Sequence, residues 1–312
     1  MKRAMSFGLL AWALISWVST VAWAEDAPVV GSSEEKAERG DLTEINKQLT
    51  NPVSQLWSIA FQQNNSRISP GISFEQGQRW NSNLLFQPVL PIALTPEWNL
   101  ITRPVIPFFV SQPHPEAADP THIDRTAAFG DIILLNMLSP SSTLVGNWLL
   151  GVGPTWIFPA GTSRWTSNGK WQVGPAAVVG YLSEKWILGA FFQNWTSFGG
   201  SGPKATNSMN LQPFASYFLP DGWSVGYSGN ILADWKASAT NAYTVPIGVS
   251  MSKVVKLGPL PVRFALAGQW MPVHPTNFGQ VWNVQLTVAP VLPKLIKGNL
   301  LDPETLEFGL GR

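Results

Sequence analysis

The chain has no cysteine, which excludes disulfides and thiolate metal sites. Charge is scarce as well: 12% of its 312 residues are Asp, Glu, Lys or Arg, about half of the usual quarter in a soluble domain. The formal net charge of +1 gives no electrostatic footprint for nucleic acid. Long apolar runs are missing beyond the N-terminus, where nothing reaches the ~18 residues that mark a membrane helix. No stretch resembles a nucleotide site, and no cofactor is implied. What the chain does have is 16 tryptophans and 26 prolines, at a mean hydropathy near zero.

The start, "MKRAMSFGLLAWALISWVSTVAWA", places Lys2 and Arg3 before an apolar core and ends on Ala22-Trp23-Ala24. A charged n-region, an h-region and an A-x-A site make a signal peptide over 1–24. Residues 25–52 form a charged segment whose beginning is expected to be disordered. Its end reads as a short helix over 41–49: Asp41 and Glu44 form an N-cap and N3 pair, and Leu42, Ile45 and Leu49 share a face. That face has to lie on something, either in the periplasm or as a plug in a lumen.

From 53 to 293 the chain breaks into about twelve strand-length runs: 53–63, 81–94, 98–111, 128–138, 146–158, 170–182, 186–197, 208–219, 223–235, 244–254, 261–273 and 281–293. Each is near the ~9–11 residues with which a tilted strand crosses a bilayer. The connections alternate. "TPE", "SEK" and "PDG" are very short and "SPSSTLVG" and "VKLGPL" moderate, while "NNSRISPGISFEQGQRW", "QPHPEAADPTHIDRTA" and "PAGTSRWTSNG" are long and polar. Short turns at one end and long loops at the other describe an antiparallel barrel with a periplasmic and an external rim. The fold expected is therefore all-β, an antiparallel transmembrane β-barrel of about 12 strands over 53–293, with a short N-terminal helix and a C-terminal periplasmic tail over 294–312.

Tryptophan placement agrees. Trp98, Trp148, Trp186 and Trp223 open strands after the shorter turns, and Trp80, Trp165, Trp171, Trp195, Trp235 and Trp282 lie near the longer loops. Two aromatic sets at opposite strand ends are the girdles of a membrane barrel. A secreted β-sandwich would bury its aromatics mid-strand and charge its outer faces. Alternation within the strands is only moderate, one face uniform and the other mixing polar with apolar residues, which implies a narrow or partly apolar lumen rather than a wide aqueous one.

Pro88, Pro104, Pro154, Pro175, Pro213, Pro246 and Pro290 all fall inside these runs. A soluble sheet confines proline to its edges, and a barrel has none. Each freed carbonyl must then be met at a bulge, by water, or by a luminal group.

The ordered segments "NPVSQLWSIAFQQNN", "LLFQPVLPI", "EWNLITRPVIPF", "FGDIILLNMLSP", "GVGPTWIFP", "GKWQVGPAAV", "NLQPFASYFLPDGW" and "YTVPIGVSMSKV" resemble the bacterial outer-membrane family linked to the meta-pathway of phenol degradation. Its members are often called transporters or, misleadingly, neuromedin U. The resemblance covers about 42–293. It implies an outer-membrane barrel of a Gram-negative bacterium, a transport role near aromatic-compound metabolism, and no catalytic residues. The partners expected of such a barrel are outer-membrane lipid and lipopolysaccharide, the outer-membrane assembly machinery and a small-molecule solute. Family members tend to stop soon after the last strand, whereas "KLIKGNLLDPETLEFGLGR" follows Pro293 here.

Chemistry-bearing residues are few. His114, Glu116, His122 and Asp124, with Asp119 between them, could ligate a divalent metal, but their irregular spacing reads better as a solvated external loop. Hydrolysis would need a nucleophile and base in reach, and His114, His122 and His274 show no such pattern. Arg103, Asp131, Lys170, Asp234 and Arg263 interrupt otherwise uncharged strands and are candidate luminal charges. Arg103 and Arg263 should point inward, since a cation at the lipid midplane costs roughly 2–4 kcal/mol. They either select solutes by charge or pair with the aspartates and rigidify a closed barrel. Three functions follow: a passive channel for small, hydrophobic or aromatic molecules, a closed structural or adhesive barrel, and an outer-membrane lipid hydrolase.

Overall fold

The structure, a computed structural model, describes residues 33–69, 80–117, 119, 121–302 and 304–308. The expected signal peptide and the start of the charged segment lie outside the described residues. The chain falls into two units, Met1–Ala37 and Glu38–Arg312, and the second holds the whole barrel and most of the helix that precedes it.

That helix, α1, spans Ser33–Thr50 and so begins eight residues before the expected start at Asp41. Glu, Lys, Ala and Arg in "SEEKAERG" are good helix formers, and they carry the helix back through Gly40. The strands of the barrel are β1 (Trp57–Ser69), β2 (Trp80–Ala93), β3 (Trp98–Pro115), β4 (Ile123–Phe129), β5 (Ile132–Pro140), β6 (Trp148–Phe158), β7 (Trp171–Leu182), β8 (Trp186–Gly199), β9 (Asn207–Phe218), β10 (Trp223–Ser228), β11 (Ile231–Asp234), β12 (Tyr243–Leu257), β13 (Leu260–Val273) and β14 (Gly279–Leu292), and the tail adds a small separate sheet of β15 (Ile296–Lys297) and β16 (Glu307–Phe308). A short helix α2, Ser142–Val145, fills the β5–β6 turn. β4 and β5 both pair with β3, and β10 and β11 both pair with β9 and β12. Each couple is one crossing interrupted midway, so the wall has twelve antiparallel staves, closed by β1 against β14 from Trp57↔Leu292 to Ser69↔Gly279. Both ends of the barrel chain therefore meet at the rim that carries the short turns.

The long loops are shorter than sequence implies. β3 continues to Pro115 and β4 resumes at Ile123, so most of "QPHPEAADPTHIDRTA" is strand. Beyond the last stave, Leu300 N and Leu301 N donate to Ala93 O and Leu94 O, which ties the C-terminal tail to the β2–β3 turn.

The strand prolines coincide with breaks in the ladders. Pro88 and Pro104 face each other in the gap between the pairs Phe86↔Ile106 and Leu90↔Thr102. Pro154 and Pro175 are direct cross-strand partners. On its other side Pro154 lies in the break between Leu135↔Thr155 and Leu138↔Val152, and Pro175 lies in the break between Val173↔Thr196 and Ala176↔Gln193. Both follow a glycine, and the opposing strand presses into that glycine. A Cβ at Gly153 would come within 2.0 Å of Asn136 O, and one at Gly174 within 1.8 Å of Asn194 O. The widest break separates β10–β11 from β12, between Gly226↔Ser250 and Leu232↔Thr244. Two carbonyls there take side-chain donors: Tyr227 Oη donates to Pro246 O at 2.7 Å, and Gln269 Nε2 donates to Ser228 O at 3.0 Å. Satisfying such carbonyls is what lets a proline sit in a membrane wall.

Outward faces carry exposed Val152, Val179, Leu188, Ile247, Val249, Leu266 and Leu286, as a lipid-facing surface requires. Trp98, Trp148 and Trp186 are exposed at one rim and Trp80, Trp171, Trp235 and Trp282 at the other. Trp223 lies under Lys253 Nζ, 4.7 Å from its ring centre. Two of the expected girdle residues sit elsewhere. Trp195 is buried inside the barrel and donates to Thr155 Oγ1 at 3.0 Å, because it shares the parity of the inward-facing Phe191 and Gln193. Trp165 lies in the β6–β7 loop, stacked on His114 with ring centres 4.5 Å apart. Trp270 joins the outer set, stacked on Trp282 with which it is in register.

Candidate functional site

Alternation within each stave decides what the lumen offers, and its two sides differ. On β3 and β5–β9 the inward residues of the short-turn half include one apolar cluster: Ile101, Leu135, Met137, Leu149, Val178, Ile187, Phe191, Phe214 and Phe218. On β1, β2, β13 and β14 the inward positions carry amides and hydroxyls among smaller apolar residues, including Gln62, Asn64, Ser66, Gln87, Gln269 and Asn283. An interior with one polar and one apolar side is the mixed lumen that the moderate alternation implies.

The amides bond to one another in rows. Arg103 Nη2 donates to Gln87 Oε1, Gln87 Nε2 to Gln62 Oε1 at 3.1 Å, Gln62 Nε2 to Asn64 Oδ1 at 3.1 Å, and Asn64 Nδ2 to Asn83 Oδ1 at 3.0 Å. A guanidinium has donors only, so it fixes which way Gln87, and each amide after it, is turned. A second row runs from Ser66 Oγ through Asn283 and Gln269 to Ser228 O.

Between the two sides, at mid-height, lies a cavity of about 140 Å³. Gln62, Gln87, Gln193, Asn210, Gln212 and Arg103 give it polar groups, and Leu85, Val105, Ile133, Leu135, Phe191 and Trp195 give it apolar ones. Arg103 Nε and Asn210 Oδ1 are buried there without a hydrogen-bond partner. A second cavity, of about 550 Å³, opens at the short-turn end between α1 and the β5–β6 turn, with Ile45, Gln48, Asn99, Trp148 and Lys294 among its walls.

α1 stands in that mouth. Asn46 is fully buried; its Nδ2 donates to Gly222 O at 2.9 Å, and Ser252 Oγ donates to its Oδ1 at 3.3 Å. Thr43 Oγ1 donates to Leu219 O and accepts from Gly222 N. At the last turn, Arg263 Nη1 donates to Leu49 O at 3.3 Å, where a helix presents unpaired carbonyls and negative partial charge. The expected apolar face is only part of the contact. The buried anchor is Asn46, which no periodicity of apolar residues could reveal.

The five candidate luminal charges separate. Arg103 and Arg263 face inward. Asp131 interrupts the β4–β5 stave and accepts from Gly161 N at 3.1 Å and Asn168 N at 2.9 Å, holding the β6–β7 loop down. Lys170 Nζ donates to Gly200 O, and Asp234 accepts from Lys236 N, both at the long-loop rim. Neither aspartate pairs with an arginine of the lumen. Among the metal candidates, His114 is buried beneath Trp165, and His122 Nδ1 lies 2.6 Å from Asp119 Oδ2. No group of three or more potential ligands gathers among the described residues. Asp119 is held below the usual carboxylate range, first by the Thr121 hydroxyl, then by the Thr121 N–H and His122.

No family model matches the chain, and no curated protein matches it. In structure it is similar to an outer membrane channel from Pseudomonas putida F1, at 13% identity, 78% of this chain, 98% of that one and a TM-score of 0.54. Weaker likenesses reach a Pseudomonas aeruginosa FadL homologue (9% identity, 77% and 92% covered, TM-score 0.36) and outer membrane phospholipase A from Escherichia coli (12%, 82% and 98%, TM-score 0.39). What this chain shares with the Pseudomonas putida channel is the fold, an antiparallel β-barrel.

Proposed function

We propose that the protein is an outer-membrane channel for passive passage of small molecules with an apolar part. The observation that carries this reading is the mid-height cavity, which has amides on one side and a packed apolar surface on the other. A solute with both characters can exchange its water for these groups without leaving either side of the lumen unmatched. A wholly polar interior would favour sugars and ions. α1 narrows the periplasmic mouth, so the channel is gated at that end: a solute passes when the Asn46 and Arg263 contacts loosen. The outer-membrane location and the link to aromatic-compound metabolism belong to the same proposal, which the resemblance of the proline-bearing segments supports.

Proteoliposomes test it. Swelling rates are measured with phenylalanine, which bilayers exclude and which has an apolar body, and with a sugar of similar mass. The expected result is faster entry of phenylalanine, with both rates rising several-fold in Asn46→Ala. Entry of neither solute in either protein would leave a closed structural barrel. Fatty-acid release from the vesicle phospholipid would favour a hydrolase instead.

A further inference from the structure

We propose that the mid-height cavity is a binding site for a small monocarboxylate whose body is about one ring in size, with Arg103 as its anion-binding group. The inference rests on the channel reading and names the solute class of that same lumen.

Arg103 brings a full positive charge into the barrel, yet no carboxylate lines the cavity. Asp131 and Asp234, the acids nearest in the sequence pattern, are occupied with loop backbone at the external rim. Of its five N–H donors one is used, on Gln87 Oε1, and Nε is buried without a partner. An unpaired buried cation is costly, and a protein keeps one where a ligand supplies the counter-charge. Arg263 also leaves its Nε buried without a partner, but its Nη1 reaches the Leu49 carbonyl at the negative end of α1 and it does not line this cavity. A planar guanidinium with free donors matches a carboxylate, which it can hold with two parallel hydrogen bonds. Gln193 and Gln212 add amides nearby.

Size and wall chemistry fix the rest of the ligand. The cavity measures about 140 Å³, and a cavity of roughly 150 Å³ suffices for one benzene ring. Leu85, Val105, Ile133, Phe191 and Trp195 provide apolar and aromatic surface for that body. A dicarboxylate would leave its second charge against this surface, uncompensated.

The test uses the full chain folded in detergent, with benzoate and its neutral isostere benzamide as probes. Titration calorimetry at pH 8 should show saturable one-to-one binding of benzoate. Arg103→Gln should weaken it at least tenfold, and benzamide should bind the wild type at least tenfold more weakly than benzoate. The variant's fold is checked by its migration before and after boiling on a denaturing gel. Should Arg103→Gln not fold, Arg103→Lys and the benzoate-to-benzamide ratio carry the test: the lysine variant keeps the preference for the anion at reduced affinity. No benzoate binding, equal binding of benzamide, or undiminished binding in Arg103→Gln would overturn the proposal. Binding as expected without solute entry into proteoliposomes would overturn the channel reading and leave the site standing.

Discussion

Arg103 and Arg263 bring the same charge into the same lumen, and only their neighbours tell them apart. Arg263 ends on the Leu49 carbonyl, where the helix terminus supplies the negative end. Arg103 ends on an amide and an open cavity. Sequence position makes them equivalent, since both are lone cations inside apolar strands. Telling them apart needs the partner from a distant segment. The same holds for Asp131, whose acceptors serve a loop some thirty residues on. Asp119 yields a prediction at this scale. Its folded carboxyl titrates below the usual range because the charged form accepts hydrogen bonds from Thr121. The bonds therefore favour the turn at neutral pH, and that contribution is lost as pH falls through the depressed value. Amide exchange at Thr121 should speed up only at pH below the ordinary aspartate range, and Asp119→Asn should abolish this pH dependence.

Among the elements, the crossings could be read from run length, turn length and alternation, and the expected twelve correspond to the twelve staves. Their interruptions could not. Gly130 and Asp131 break one stave and Gly229 and Asn230 another, but nothing local distinguishes these from glycines that continue a strand. Trp195 shows a second limit: closeness to a strand end does not say which face a residue occupies, and parity within β8 does. The Gly-Pro pairs at 153–154 and 174–175 are the device that reconciles proline with a closed wall. Removing the glycine should be worse than removing the proline. Gly153→Ala places a Cβ 2.0 Å from Asn136 O, and overpacking against backbone costs roughly 3 kcal/mol. Gly268→Ala, in open space on β13, is expected to cost less than about 1 kcal/mol. Urea titration of the folded band on an unheated gel separates the two. For α1, Asn46→Ala removes the bond to Gly222 O and should weaken docking by about 1–3 kcal/mol, seen as faster proteolysis within 41–50.

At the scale of the whole molecule, a hydrogen-bonded wall closed by β1 on β14 has no edge to fray. An unboiled sample on a denaturing gel should migrate differently from a boiled one, and an unchanged position would contradict a closed barrel. The lumen's division into an amide side and an apolar side was visible only as imperfect alternation, because each stave shows its own two faces and never its neighbour across the barrel. The helix was expected to lie on something, and its contacts with Ser252 and Arg263 join it to residues more than two hundred positions away in sequence, which no local pattern could name.

The row of amides from Gln87 to Asn83 has a further consequence. Because Arg103 cannot accept a hydrogen bond, every member beyond it turns its oxygen toward the arginine and its nitrogen away. The dipoles therefore add head to tail, and the last nitrogen, on Asn83, lies three residues from Trp80 at the long-loop rim. A charge seated at mid-barrel thus projects its sign toward the long-loop rim, and under the proposed function an arriving anion would meet that field well before it meets the arginine.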